Sequence, residues 1–371
     1  MTGSHDVDGS TAEWPCQVSL SMIIPAHNEA MRLEAGIARL SAAVAAGAIE
    51  ARTTEFVVVD DGSTDGTSEL ARRLFSSFPH VQHVTLAQNR GKGGAVRAGV
   101  AVASAPFIVF ADADMAIDPS HTPQFVAALA TANLAIGSRS AAGASVNRPS
   151  LRRSLMNRSF NRLVNAVTHV SLDDTQCGFK AFRAPAAKLL FHCSVTERFA
   201  FDVEVLSLAR RLGLTIAQVP VRWLRVKGSQ IRPWTDARSM ASDVVKAGRG
   251  AAWAAPVPTL AITLASVDDR RTLARFLAPW LPVIERSQDG LLVLCPQMSE
   301  NEIAAVASRI EARPIGTAIE RSTLTVTQLC EMAPLLLSWD PDVVAFGRYE
   351  GNSHSAASSG SRTAHSSEVM P

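Results

Sequence analysis

At 371 residues with 47% hydrophobic side chains, the chain is long enough to bury one large core and a second, smaller one. Its 36 Lys and Arg against 34 Asp and Glu leave a formal net charge of +2, too mild for nucleic-acid binding by bulk charge, so partners must be argued from local clusters. The five cysteines, Cys16, Cys177, Cys193, Cys295 and Cys330, form no CxxC pair, which excludes a zinc knuckle, argues against a disulfide framework and fits a reducing cytoplasm.

The first seventeen residues hold Asp6, Asp8 and Glu13 and no apolar core, so no signal peptide is expected. From residue 18, short apolar runs alternate with amphipathic segments. VSLSMII reads as a strand, 29–46 as a helix, EFVVVD as a strand, 67–75 as a helix, VQHVTL as a strand, 93–103 as a helix and FIVFADAD as a strand. Strands apolar along their whole length, separated by helices, predict an α/β domain with a mostly parallel sheet covered on both faces, whose ligands gather at the carboxyl ends of the strands. Further on, LAIGSR (134–139) and GFKAFR (178–183) read as strands, and 151–169 and 201–212 as helices. This first domain is expected over 17–255. Past Pro256 and Pro258, TLAITLA, a helix over 270–277, GLLVLC, a helix over 302–313 and a last helix near 326–337 predict a small α/β domain over 256–350. The apolar stretch 250–267 is broken by both prolines and falls short of the ~20 residues of a membrane span, so no transmembrane helix is expected. Residues 1–16 and 351–371 cannot bury a core and are expected to be disordered.

Chemistry concentrates in the loops after strands. Asp112 and Asp114 form a D-x-D at the end of a strand run, and residues two apart on extended chain project to one side, so both carboxylates can face a single cation; hard oxygen ligands suit Mg2+ or Mn2+. A solvated acidic turn is the plainer alternative for such a pair taken alone. Asp60 and Asp61 follow the FVVV strand, where a carboxylate can accept from a base N–H or a ribose hydroxyl, while Thr64 or Asp65 can cap the next helix. Pro25-Ala26-His27-Asn28-Glu29 follows the first strand; Glu29 suits a helix start through the helix dipole and could equally hold a ribose, and His27 reads as a loop histidine. Asn89-Arg90-Gly91-Lys92-Gly93-Gly94 combines close backbone approach with one cation near phosphate or base, and lacks the Walker spacing of a P-loop.

Taken in order and spacing, PAHNE (25–29), VVDDGSTDGT (58–67), NRGKGGAVRAG (89–99) and FADADM (110–115) resemble family 2 glycosyltransferases, and DTQCGFK (174–180) resembles their dolichyl-phosphate glucosyltransferase branch. The resemblance covers 18 to about 250. It implies a GT-A domain that moves glucose from UDP-glucose to a polyprenyl or dolichyl phosphate with inversion, helped by Mg2+ or Mn2+. It also implies roles for residues: Pro25, Ala26, Asn28, Glu29, Asp60, Asp61 and Lys92 around the nucleotide, Asp112 and Asp114 on ribose, metal and diphosphate, Gln176, Asp202 and Glu204 on the sugar side, and Arg139 near the acceptor phosphate. A phosphate acceptor is already a nucleophile; an alcohol acceptor would need a base, for which Asp202 is the first candidate.

Between 139 and 162 the chain carries Arg139, Arg148, Arg152, Arg153, Arg158 and Arg162 and no acid, on or before a helix whose apolar residues recur at helical spacing. Such a segment suits an anionic bilayer or a lipid phosphate, with Arg152 and Arg153 joining Arg139 on the acceptor, or it is an ordinary helix with solvated arginines. A cytoplasmic enzyme at the inner face of the membrane is the expectation. Arg225 and Gln230 stand where the branch usually has an acid and a lysine, so acceptor handling can differ. A relative of the same fold using GDP-mannose or a UDP-N-acetylhexosamine on another acceptor, and a noncatalytic sugar-nucleotide sensor, stay open as alternatives.

Overall fold

The computed structural model describes residues 18–146, 172–224, 257–264, 281–287, 290–311 and 317–325, with scattered positions at 161–170, 244, 272–277, 328 and 332. Its first half alternates strands β1 (Leu20–Ala26), β2 (Thr54–Asp60), β3 (Val81–Thr85) and β4 (Phe107–Ala111) with helices α1 (Ala30–Ala45), α2 (Thr67–Phe75) and α3 (Lys92–Val102). Strands β5 (Leu134–Ser138), β7 (Phe179–Arg183) and β8 (Ile216–Pro220) complete a seven-stranded sheet of order β3-β2-β1-β4-β7-β5-β8, and the short strands β6 (Ser145–Val146) and β9 (Arg222–Trp223) pair with each other apart from it. Neighbours pair parallel except at β7, which runs antiparallel to both β4 and β5. The mostly parallel α/β sheet expected from the apolar runs is therefore present; the first six elements fall within two residues of their expected bounds, and β4 ends three residues before the expected FIVFADAD run does.

Burial explains why those strands are apolar throughout. Side chains of a strand alternate between faces, and here both faces are covered. Ile23, Val57, Val59, Ile108 and Phe110 join one core with Val96 and Val100 of α3 and with the helices Ala184–Cys193 and Phe201–Arg211. Met22, Ile24, Phe56, Val58 and Val109 join a second core with Leu33, Ile37 and Leu40 of α1 and Phe75 of α2. Phe56 sits 4.5 Å from the Phe78 ring and 5.9 Å from Phe75; burying each such ring is worth about 1.5–3 kcal/mol.

A second, four-stranded sheet has the order β11-β12-β10-β13, from β10 (Val257–Leu264), β11 (Val283–Ser287), β12 (Gly290–Leu294) and β13 (Thr317–Leu324), all antiparallel. With helical positions at 272–274 and 277 before β11 and the helix Glu300–Glu311 before β13, the chain order is βαββαβ, the ferredoxin-like split βαβ arrangement. Leu260, Ile262, Leu291 and Val293 face its own helices. Val257, Leu292 and Leu294 join the core of the first sheet, and the Gln297 backbone N–H donates to His192 Nδ1 at 3.0 Å.

Among the elements that escaped the sequence reading, two did so for opposite reasons. The helix Ala184–Cys193 is buried at every position except Lys188 and His192, which erases the amphipathic period. Strand β13 is an edge strand whose Glu320, Arg321, Ser322 and Thr323 are exposed, so no apolar run marks it. Of the expected helix over 151–169, positions 161, 162, 164–166 and 168 are described and helical; the expected disordered ends, Arg152, Arg153, and most of 326–337 lie outside the described residues.

One contact joins this packing to the loops. A Cβ on Gly36 of α1 would lie 2.0 Å from the Ala113 carbonyl oxygen. Gly36→Val is expected to force α1 and the 112–115 loop apart and to cost about 1–3 kcal/mol, read as a lowered urea midpoint with an unchanged m-value.

Candidate functional site: a carboxylate cluster at the strand ends

Strands β1 to β4 run parallel and finish at one edge of the sheet, so the segments that follow them lie side by side. After Ala26 the chain turns at Asn28, whose φ of 51° lies in the left-handed region that Asn tolerates. Thr64 N–H donates to Asn28 Oδ1 at 2.9 Å and Asn28 N–H to Ser63 Oγ at 3.0 Å, stitching this loop to the one after β2. His27 Nδ1 lies 2.8 Å from the Asp61 carbonyl oxygen, a loop contact as expected. Asp65 accepts from Thr67 N–H and from Ala30 N–H, both at 3.1 Å, and so ties the starts of α1 and α2 together.

Asp60 is 5% exposed and accepts from Ser63 N–H at 3.1 Å. Asp61, 2% exposed, accepts Arg90 N–H on one carboxylate oxygen and Gly91 N–H on the other, each at 2.7 Å. Both of its oxygens are thereby engaged by backbone. Its work is to fix the loop that leads into Lys92, a charge-assisted anchor of the kind worth more than a neutral hydrogen bond.

Lys92 Nζ then lies 2.5 Å from Asp112 Oδ1 and 5.8 Å from the Phe110 ring centroid. Asp114 Oδ1 accepts Ala116 N–H at 3.0 Å, and its Oδ2 lies 3.9 Å from Arg32 Nη1. The other nitrogen, Arg32 Nη2, pairs with Glu29 Oε1 at 2.5 Å. Glu29, Asp112 and Asp114 are thus three carboxylates balanced by two cations, Arg32 and Lys92. The imbalance shows in the ionisation of Glu29, Asp114 and Lys92. Burial, reinforced by Asp114 and Asp112 and opposed by Arg32, pushes Glu29 up to about 7. Burial and the charge of Asp112 raise Asp114. Burial alone would lower Lys92, but Asp112 and Asp202 outweigh it and hold the ammonium above its ordinary range. Glu29 Oε2 is buried with no hydrogen-bond partner among the described residues. The D-x-D is not on extended chain: β4 ends at Ala111, and Met115 N–H donates to the Asp112 carbonyl oxygen at 2.8 Å to close a turn, with Asp112 beside Lys92 and Asp114 beside Arg32. This cluster, with its orphaned Glu29 oxygen, is a place where a cation or a phosphate group is electrostatically welcome.

The far side of this edge is built from the segment around 174–180. Arg139 donates through Nε and Nη2 to Asp174 at 2.6 and 2.8 Å, and its own N–H donates to the same carboxylate at 3.1 Å. Burial would lower the guanidinium, but this pairing raises it, and Asp112 lies near enough to add to the effect. Asn161 receives Thr175 Oγ1 at 3.1 Å, which ties the arginine-bearing helical positions to the same segment. Gln176 Nε2 lies 3.5 Å from the Phe199 carbonyl oxygen. Asp202 is 4% exposed and paired with Lys180 Nζ at 2.7 Å; burial raises its carboxyl despite Lys180 and Lys92. Glu204 accepts from Val195 N–H at 3.1 Å and from Thr196 N–H at 2.8 Å, a backbone clamp.

The structure therefore gathers Asn28, Glu29, Asp60, Asp61, Lys92, Asp112 and Asp114 around one strand edge, with Pro25 and Ala26 in the last turn of β1 and Arg139, Gln176 and Asp202 across from them. Sequence reasoning missed Arg32, three residues after Glu29 on α1, and Lys180, whose neighbour Asp202 is distant in sequence. The i,i+3 spacing could have flagged the first; nothing local flags the second.

Residues 21–191 match the family described as glycosyl transferase family 2. A dolichyl-phosphate beta-glucosyltransferase of Drosophila melanogaster is 38% identical over 242 residues, which is 61% of this chain and 73% of that protein. The corresponding protein of Dictyostelium discoideum is 33% identical over 243 residues, 62% of this chain and 73% of its own. This chain is a family 2 glycosyltransferase. Among solved structures, glucosyl-3-phosphoglycerate synthase from Mycobacterium tuberculosis aligns with 62% of this chain and 78% of its own at 21% identity and a TM-score of 0.47, too distant to carry a residue role.

The raised Glu29 of the glycosyltransferase gives a stability test. Because the folded carboxyl titrates near 7 and an unfolded one near its ordinary 4.5, the unfolded chain ionises first as pH rises, so this group lowers stability progressively between those values. Glu29→Gln is expected to unfold like wild type at pH 4 and to gain on the order of 1–3 kcal/mol relative to it by pH 8, in urea titrations at the two pH values. A constant difference across that range would refute the raised carboxyl.

Proposed function

We propose that this glycosyltransferase moves glucose from UDP-glucose to a polyprenyl phosphate of the dolichyl type, at the cytoplasmic, inner face of a membrane. The observation that carries the reading is the electrostatic character of the Glu29, Asp112, Asp114 and Lys92 cluster, which suits a diphosphate held with a cation, in a chain similar to dolichyl-phosphate beta-glucosyltransferases. A divalent ion is supported by Asp112 and Asp114, which offer hard oxygens, and by the orphaned Glu29 oxygen, which marks a shortage of positive charge; among the described residues no three His, Cys, Asp or Glu side chains converge as a ready ligand set. Mg2+ or Mn2+ bound there would neutralise the leaving diphosphate.

Around it the chain's own residues divide the work. Pro25, Ala26, Asn28 and Asp60 line the nucleotide side, and Asp61 holds the loop that aims Lys92 at the phosphates. Gln176 faces the sugar. A phosphate oxygen of the acceptor attacks the anomeric carbon; that C–O bond forms as the bond to the UDP oxygen breaks, the electron pair leaves with UDP, and the anomeric configuration inverts. No proton moves, so no strong base is required, and Asp202 is free to serve another purpose. Arg139, with Nε and Nη2 held by Asp174, is a fixed cation that can meet the acceptor phosphate, joined by Arg152 and Arg153 of the basic segment. Among the described residues no helix is long and apolar enough to cross a membrane. Lipid contact is assigned to the basic segment on its charge. Residues 17–255 act as the catalytic domain and 256–350 as a second domain resting on the helix Ala184–Cys193.

The test is transfer of radiolabelled glucose from UDP-glucose to polyprenyl phosphate in detergent, with Mg2+ or Mn2+, and GDP-mannose and UDP-N-acetylglucosamine as competing donors. Label is expected in the lipid phase from UDP-glucose alone, lost on adding EDTA. Asp114→Ala is expected to reduce transfer about 10²–10³-fold at unchanged thermal stability. Label that stays in the aqueous phase with every polyprenyl phosphate would remove the lipid acceptor from the proposal.

A further inference from the structure

Lys180 is 1% exposed, too buried to meet a substrate, and its partners lie inside the protein. Its ammonium donates to the Cys177 carbonyl oxygen at 2.7 Å and to Asp202 Oδ1 at 2.7 Å, and lies 5.3 Å from the Phe110 ring centroid. A buried ion pair is seldom kept for stability, because an apolar pair of the same size does as well. Its place in the register suggests why it is here. On the antiparallel ladder of β4 and β7, Lys180 is opposite Phe110 and Phe179 is opposite Ala111. The next rung is Asp112 N–H donating to the Gly178 carbonyl oxygen at 3.2 Å. At that rung the two chains touch: a Cβ on Gly178 would lie 1.9 Å from Asp112 Oδ2. The Asp112 carboxylate therefore leans on the turn at 176–178, and the carbonyl of that turn is held by Lys180.

We propose that Lys180 is a positioning residue for Asp112: bound at once to the Cys177 carbonyl and the Asp202 carboxylate, it fixes the turn against which the Asp112 carboxylate is set, and Asp202 is its buried counter-ion. This rests on the reading of Asp112 as part of the diphosphate site. It gives Asp202 a task in a transfer that needs no base, and it accounts for Lys180 ending the DTQCGFK segment. Burial raises the Asp202 carboxyl, as expected of a counter-ion held away from water. Phe110, between the rungs and within cation–π reach of both Lys180 and Lys92, keeps the two ammonium groups on a common apolar support.

The test separates positioning from charge balance. Lys180→Met alone leaves a buried carboxylate unpaired and is expected to lower the melting temperature; Lys180→Met combined with Asp202→Asn removes both charges and is expected to restore it. In that double variant, amide hydrogen exchange in peptides covering 111–115 and 175–179 is expected to rise, and kcat for glucose transfer to fall about 10²-fold with KM for the acceptor unchanged. Exchange and kcat both at wild-type level would overturn the proposal and leave the pair as charge balance only. A lost kcat with unchanged exchange would also overturn it, by making Asp202 a direct participant. Should the double variant fail to fold, Gly178→Ala decides, because it displaces Asp112 while leaving the Lys180–Asp202 pair intact: the same fall in kcat supports the proposal, and wild-type kcat sinks it. If wild-type protein transfers no sugar at all, the proposed reaction falls, and the exchange measurement alone decides the role of Lys180.

Discussion

The Asp112 backbone N–H donating to the Gly178 carbonyl is the contact on which the rest of the site depends. It is the last rung of the β4–β7 ladder, one of the two antiparallel pairings that β7 makes in an otherwise parallel sheet. Parallel strands alone can bring together the loops that follow them, at one edge. A strand returning in the opposite sense starts where its neighbours finish, so the residues that precede β7 join the same edge. Without that reversal, Asp174, Gln176 and Gly178 would lie at the other end of the sheet from Asp112 and Asp114. The glycine at 178 is what allows the carboxylate and the returning backbone to share the space.

Acidic residues near this edge divide into anchors and unbalanced charges, and burial with partners decides which is which. Asp61 spends both oxygens on two backbone N–H groups, Glu204 clamps Val195 and Thr196, and Asp174 holds Arg139. These are satisfied, and they set loop shape. Glu29 and Asp114 instead face one another across a shortage of cations, with Arg32 shared between them, and their carboxyls are raised. Proteins tolerate such a shortage where a bound group makes it good, since raised carboxyls favour neither folding at neutral pH nor solubility. The same four-letter motif, VDDG, thus contains Asp60, which accepts from the Ser63 N–H, and Asp61 as a structural post held by two backbone N–H groups.

Much of this was legible in the sequence because the signals were local. Apolar runs of five to seven residues gave β1, β2 and β4, and the loops after them carried the glycines and carboxylates that define the site. Legibility failed where a side chain's meaning is set by a partner far along the chain. Asp61 reads like Asp60 until the backbone of Arg90 and Gly91 is placed on it, and Asp202 reads like a base until Lys180 is found beside it. Burial on all sides hid the helix Ala184–Cys193, and exposure hid β13. The ferredoxin-like order of the second sheet is beyond any local signal, because it is a property of pairing.

That second sheet also bears on the donor side of the site through contiguous packing. Its Val257, Leu292 and Leu294 share a core with the helix Ala184–Cys193. The same helix and the segment after it receive Arg97 of α3, whose guanidinium donates to the Phe191 carbonyl at 3.2 Å and to Ser194 Oγ and the Thr196 carbonyl at 3.3 Å. Glu197 then pairs with Arg90 and its carbonyl accepts Gly94 N–H at 3.1 Å, so the segment 194–197 grips the loop before Lys92 and the first turn of α3 together. Lys92 is consequently held from two directions, by Asp61 on the side of β2 and by this clamp on the side of the second sheet. A lysine has four rotatable bonds and pays heavily in entropy to stay in one place, so the rigidity of its helix is what keeps its charge at Asp112.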